Sequence, residues 1–177
     1  MSWKVRLISM LLAAPVCGFA ADWTYHVKTD PFDNVTIKTA RAVGPGLASV
    51  SVETRSNGVR LAYFSGAEFE CFVDCVVRVK FDDDAPVAFA AEAPRLISSL
   101  LVIKDFDGFV QRVANAKVVT LRAKFFRRTQ DLVVEIGAPL DFSKFAEAER
   151  LGALRKQCEA GAVFEDYSAC MRRALGQ

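Results

Sequence analysis

Apolar and polar residues alternate with a period of two through much of the chain. Val35 and Ile37 alternate with Thr36 and Lys38, and Val50 and Val52 with Ser49 and Ser51. Val59, Leu61 and Tyr63 alternate with Arg60 and Ala62, and Val77, Val79 and Phe81 with Arg78 and Lys80. Later, Val119, Leu121, Ala123 and Phe125 alternate with Thr120, Arg122 and Lys124, and Leu132, Val134 and Ile136 with Val133 and Glu135. Successive strand side chains point to opposite faces, so this period predicts antiparallel sheet with one buried and one wet face. Turn formers separate the runs at Gly44-Pro45-Gly46, Ser56-Asn57-Gly58, Asp82-Asp83-Asp84 and Arg128-Thr129-Gln130-Asp131. Roughly six to nine short strands at this spacing predict a β-sandwich or an open barrel.

Two regions break the period. Phe109, Val110, Val113 and Ala116 recur at helical spacing, which predicts an inserted helix over Phe106–Ala116, capped by Asp105 or Asp107. After Gly137, Pro139 and Asp141 the pattern becomes helical for the rest of the chain. Ser143 is a candidate N-cap for a helix to about Gln157, with Phe145, Ala148, Leu151 and Leu154 on one stripe. A second helix reads from Val163 to Leu175, with Phe164, Tyr167, Met171 and Ala174 on one side. The predicted fold class is α+β: an antiparallel β-sandwich or open barrel, one inserted helix and a C-terminal helical hairpin.

The first residues change how the rest is read. Lys4 and Arg6 precede an apolar run from Leu7 to Val16, and small residues follow at Gly18, Ala20 and Ala21. This is the layout of a secretory signal peptide with cleavage after Ala20, and the run is too short for a bilayer-spanning helix of roughly 20 residues. Export to the periplasm is therefore expected. Lipid attachment at Cys17 is the minor alternative, against which Val16 stands where a lipidation signal wants a small residue. The predicted organisation is a signal peptide at 1–20, a β-rich domain at 21–140 with its helix near 106–116, and a helical tail at 141–177 packed on that domain. Removing Lys4 and Arg6 from the 23 basic residues leaves 21 basic and 21 acidic side chains, a balance unlike the basic excess of a nucleic-acid binder. No later stretch reaches transmembrane length, so the processed chain is not expected to span a membrane.

Cleavage also discards Cys17 and leaves four cysteines, an even count that favours disulfides in an exported protein. Cys71 and Cys75 enclose three residues, where a catalytic dithiol normally encloses two at a helix start. Their expected role is to pin a tight loop, with a thiol oxidoreductase using Cys71 and Cys75 as an alternative. A bridge from Cys158 to Cys170 would hold the predicted helical hairpin. Four cysteines allow three connectivities, so crossed pairing stays open at this point.

Candidate chemistry is sparse. His26 is the single histidine, near Asp30 and Asp33, and a lone histidine in a strand-like segment is more often an edge residue than a general base. The Asp82-Asp83-Asp84 and Asp105-Phe106-Asp107-Gly108 segments carry calcium-loop fragments but lack the spacing and closing Glu of an EF-hand, and turns and caps account for them. No cofactor motif and no metal set is read. Arg122, Lys124, Arg127 and Arg128 form a local basic cluster, with Lys117 and Arg112 near it in sequence, and this is the candidate binding face for an acidic partner or an anionic envelope component.

The run Cys71-x3-Cys75-x-Val77-Arg78-Val79-x-Phe81-Asp82 is similar to a pattern in small exported β-rich proteins of proteobacteria. In these a segment like Leu100-Leu101-Val102-Ile103, a helix like Phe109–Ala116 and a strand like Val118–Phe125 follow. Trp23 followed by Asp30-Pro31-Phe32-Asp33 resembles the opening of periplasmic accessory proteins associated with type VI secretion. Those tend to have Asp-Pro-Met-Thr-Asp where this chain has the shorter Asp-Pro-Phe-Asp, and it lacks their late Phe-Asp-Leu-Ser-Gly segment, with Leu140-Asp141-Phe142-Ser143 in roughly that place. The resemblances imply an exported β-sandwich-like domain and bring no catalytic residue. The expected function is a non-catalytic periplasmic binding or accessory protein acting through protein or envelope contacts. A small hydrolase with a carboxylate pair is the alternative from another class.

Overall fold

The computed structural model describes residues 21–71, 74–125, 128–161 and 167–176. The predicted signal peptide and Arg127 lie outside the described residues. Nine strands among the described residues form one antiparallel sheet: β1 (Thr24–Thr29), β2 (Thr36–Val43), β3 (Ser49–Arg55), β4 (Arg60–Ser65), β5 (Cys75–Phe81), β6 (Val87–Glu92), β7 (Leu100–Ile103), β8 (Val118–Phe125) and β9 (Arg128–Glu135). Their spatial order is β1-β2-β3-β4-β7-β6-β5-β8-β9. Helix α1 (Phe106–Val113) is inserted between β7 and β8, and α2 (Lys144–Gly161) and α3 (Tyr167–Leu175) follow the sheet. The α+β class and the C-terminal helical pair are therefore as the sequence predicts.

The sheet curls until its two edges touch. Ala21, just before β1, forms a parallel bridge with Ile136, just after β9, through Ala21 N donating to the Glu135 carbonyl at 2.9 Å and Gly137 N donating to the Ala21 carbonyl at 3.0 Å. Strand β2 also approaches β9, where Gly44 leaves room for the Val133 carbonyl, and β1 lies against α2. The architecture is an open barrel built from a single sheet.

One face of that sheet is filled with apolar side chains. Val77, Val79 and Phe81 of β5 and Val119, Leu121, Ala123 and Phe125 of β8 belong to the same buried cluster as Val50, Val52, Phe64, Leu101 and Ile103. Phe109 of α1 sits at its centre, fully buried, with its ring 5.6 Å from Phe64 and 5.7 Å from both Phe81 and Phe89, centroid to centroid. These edge-to-face contacts use the ring quadrupole as well as burial. Asp105 caps α1 by accepting from Gly108 N at 3.0 Å, and a Cβ at position 108 would collide with that carboxylate. Gly66 is similarly constrained, with φ +104° and a Leu47 carbonyl that any Cβ there would collide with.

Three boundaries differ from expectation. Arg128-Thr129-Gln130-Asp131 is not a turn but the first half of β9, in register with β8 from Phe125 opposite Arg128 to Arg122 opposite Asp131. All four are exposed, so no alternation marks them as strand. Helix α1 ends at Val113, whereas helical spacing extends to Ala116, which closes the helix by donating to the Val113 carbonyl at 3.3 Å. At the start of α2 the Ser143 hydroxyl donates to Asp141 Oδ1 at 2.7 Å, so Asp141 organises the entry instead of a capping serine.

Candidate functional site

The register of β5, β8 and β9 decides what the outer face presents. Arg78 of β5 stands directly opposite Arg122 of β8, and Lys80 opposite Thr120. Arg122 in turn faces Asp131 of β9. Since Val77, Val79 and Phe81 point into the core, Arg78 and Lys80 point out, and so do Thr120, Arg122 and Lys124.

Of the sequence-predicted face, Arg122 and Lys124 are brought together on the outer side of β8. Arg128 pairs with the inward Phe125, so the register assigns it to the other face. Arg122 is held by a bidentate pair with Asp131, Nε to Oδ1 and Nη2 to Oδ2, both at 2.7 Å. Those hydrogen bonds hold the Asp131 carboxyl below the ordinary carboxylate range and raise the Arg122 guanidinium above its own. Lys124 reaches Glu70 at 3.5 Å and Lys80 reaches Asp83 at 3.5 Å. Arg78 has no ion-pair partner among the described residues.

A shallow cleft of about 140 Å³ opens on this face, lined by Arg78, Lys80, Pro86, Thr120, Arg122 and Asp131. Small residues leave it open on the β6 side, where Ala88 is the cross-strand neighbour of Arg78. Sequence reasoning missed Arg78, Lys80 and Thr120 as site residues. Their outward direction is visible in the alternation, but the β5–β8 pairing is not, because β6, β7 and α1 intervene in the chain.

A second cleft, of about 280 Å³, lies between β1 and α2 and is lined by Tyr25, His26, Val27, Lys144, Glu147, Ala148, Leu151, Gly152 and Arg155. His26 is exposed on β1 opposite Thr39, and among the described residues no carboxylate orients its ring. Asp30 instead accepts from Phe32 N at 2.8 Å within the β1–β2 turn.

The cysteines pair locally, Cys71 with Cys75 and Cys158 with Cys170, each with Cα atoms 5.7 Å apart. Beside the first bridge, Asp74 and Glu92 converge on Lys104. Lys104 holds the Asp74 carboxyl below its usual range, through its hydrogen bond and then its charge. A general acid needs the opposite shift. Asp82 Oδ1 accepts from the backbone of Lys117 at 2.7 Å and of Val118 at 2.8 Å, and Asp107 forms a bidentate pair with Arg60. With Asp83 paired to Lys80 and Asp105 capping α1, four of the five aspartates in the calcium-like fragments are committed to a turn, a cap and two ion pairs. Among the described residues no three His, Cys, Asp or Glu side chains gather as a metal set, and no helix is long and apolar enough to cross a membrane. Comparison with known proteins finds no matching family model, curated sequence or solved structure.

Proposed function

We propose that this is an exported, non-catalytic binding or accessory protein that works through protein or cell-envelope contacts, with the outer face of β5 and β8 as its contact surface. The observation that supports this reading is the alignment of Arg78, Lys80 and Arg122 around one open cleft, with Asp131 as the only acidic side chain lining it. A face of that sign attracts acidic or anionic partners over several ångströms and sets their orientation. The two disulfides fit an oxidising compartment. The resemblance of Trp23 and Asp30-Pro31-Phe32-Asp33 to type VI secretion accessory proteins agrees with a periplasmic role and adds no residue to the surface.

The test is capture from periplasmic and envelope extract by the processed protein and by an Arg78→Glu, Arg122→Glu, Lys124→Glu variant. Loss of a captured partner in the variant, with its circular dichroism and melting preserved, is expected. Unchanged capture contradicts the choice of face. N-terminal sequencing of exported protein checks the compartment, and a mature chain starting at Ala21 is expected.

A further inference from the structure

We propose that Arg78, Lys80, Thr120 and Arg122 form a binding site for one phosphate-type oxyanion. The inference deepens the proposed function by naming the ligand chemistry of that face, and it rests on that reading for its biological use.

Four side chains occupy two successive cross-strand pairs on the same outer face of β5 and β8. One pair sets Arg78 directly opposite Arg122, a like-charge pairing in which Asp131 engages Arg122 alone. A solvated strand face has no need of it, whereas an oxyanion between the two guanidinium groups offsets the repulsion with charge-assisted hydrogen bonds. Thr120 adds a hydroxyl donor and Lys80 a third charge at the neighbouring pair.

Arg122 is already oriented. Asp131 engages its Nε and Nη2, which leaves Nη1 to project without further ordering. Arg78 lacks any such partner among the described residues, and its other cross-strand neighbour is Ala88, too short to cover it. Three cations and one carboxylate line the cleft, and with Asp83 paired to Lys80 beside it the local excess is one positive charge, carried by Arg78, unpaired among the described residues. Its volume of about 140 Å³ lies below the roughly 300–1,000 Å³ of drug-sized pockets. A single oxyanion group suits that space.

The experiment is titration of the ¹⁵N-labelled full chain with inorganic phosphate, with ionic strength held constant by sodium chloride. Amide shifts should concentrate at Arg78, Lys80, Thr120 and Arg122. Arg78→Gln should weaken binding about ten-fold or more, the scale of a lost charged hydrogen bond. Lys28→Gln, on exposed β1, should change it less than about two-fold. Shifts scattered over the basic residues, or binding unaltered by Arg78→Gln, mean an adventitious ion only and overturn the proposal. Acetate binding as tightly as phosphate overturns the phosphate assignment.

Sedimentation with phosphatidylglycerol vesicles separates the sources. Sedimentation abolished by Arg78→Gln assigns the phosphate to a lipid headgroup, and phosphate binding without sedimentation assigns it to a soluble molecule. Failure here is distinguishable from failure of the proposed function. Capture lost on charge reversal but no phosphate titration leaves a contact face without an oxyanion site. Phosphate bound at Arg78 while capture survives reversal leaves an oxyanion site without a contact face.

Discussion

The β wall and the C-terminal hairpin are stabilised in different ways. In the wall, side chains from every sheet strand but β1 and from α1 enter one buried cluster, and Phe64, Phe69, Phe109, Leu101 and Leu121 are fully enclosed. In the hairpin, α2 buries Phe145 and Cys158, and α3 buries no residue. The expected α3 stripe is not covered: Tyr167 and Ala174 are exposed and Met171 only half-buried, while Phe164 lies outside the described residues. Burial accounts for the wall. The hairpin depends on its covalent bridge and on a few contacts with the first two strands, namely Phe145 edge-on to Tyr25 of β1 at 5.3 Å, Asp141 N donating to the Tyr25 hydroxyl at 2.9 Å, and Lys38 of β2 with Glu149 at 3.5 Å. A hydrophobic stripe in a sequence thus predicts a helix better than it predicts what covers that helix.

The largest effect should come from emptying the centre of the wall. Phe109→Ala removes a ring held by three others and should cost about 3–5 kcal/mol of global stability, read by denaturant unfolding followed through the sheet. Replacing both Cys158 and Cys170 by Ser should act locally. The bridge is worth about 3 kcal/mol in the chain-entropy model, and its loss should raise hydrogen exchange in α3 and the end of α2 while β5 and β8 stay protected. Loss of protection across the sheet in that variant would erase the distinction between the two regions.

Acid should probe both regions. Hydrogen bonds from Ser143 hold the Asp141 carboxyl below its usual range, and Arg122 does the same for Asp131. Their stabilising effect is complete above the unfolded carboxylate pKa of about 3.9 and is lost as pH falls through their lower folded-state values. Amides near Ser143 should therefore titrate below about pH 4, and the Asp131→Asn variant should show a flatter acid limb in the sheet. The smallest effect should follow Asp107→Asn, which breaks an exposed pair with Arg60 and should change unfolding by less than about 1 kcal/mol.

Much of the wall is legible in the chain because a strand with one wet face must alternate. Val77-Arg78-Val79-Lys80-Phe81 and Val119 to Phe125 do so, and they become β5 and β8. Strand β6 is hidden because Ala88 and Ala90 fill its outward positions, and β7 is four apolar residues without any period. The β9 edge carries polar residues at all four of its first positions and reads as a turn. Asp105 is legible as a cap since an aspartate before a helical pattern has a local task. The cleft is less so. Arg122 was visible as part of a basic run, but its partner Arg78 lies across a pairing made only after β6, β7 and α1 have folded back. Register, a tertiary property, assembles the site.

The central claim is that the outer face of the wall, and not the hairpin, makes the contact. Capture from periplasmic and envelope extract by three forms of the protein tests it most directly: the unaltered chain, Arg78→Glu with Arg122→Glu and Lys124→Glu, and Cys158→Ser with Cys170→Ser. The account predicts that charge reversal abolishes capture while the loosened hairpin preserves it. Capture that survives charge reversal and disappears with the hairpin bridge would contradict it.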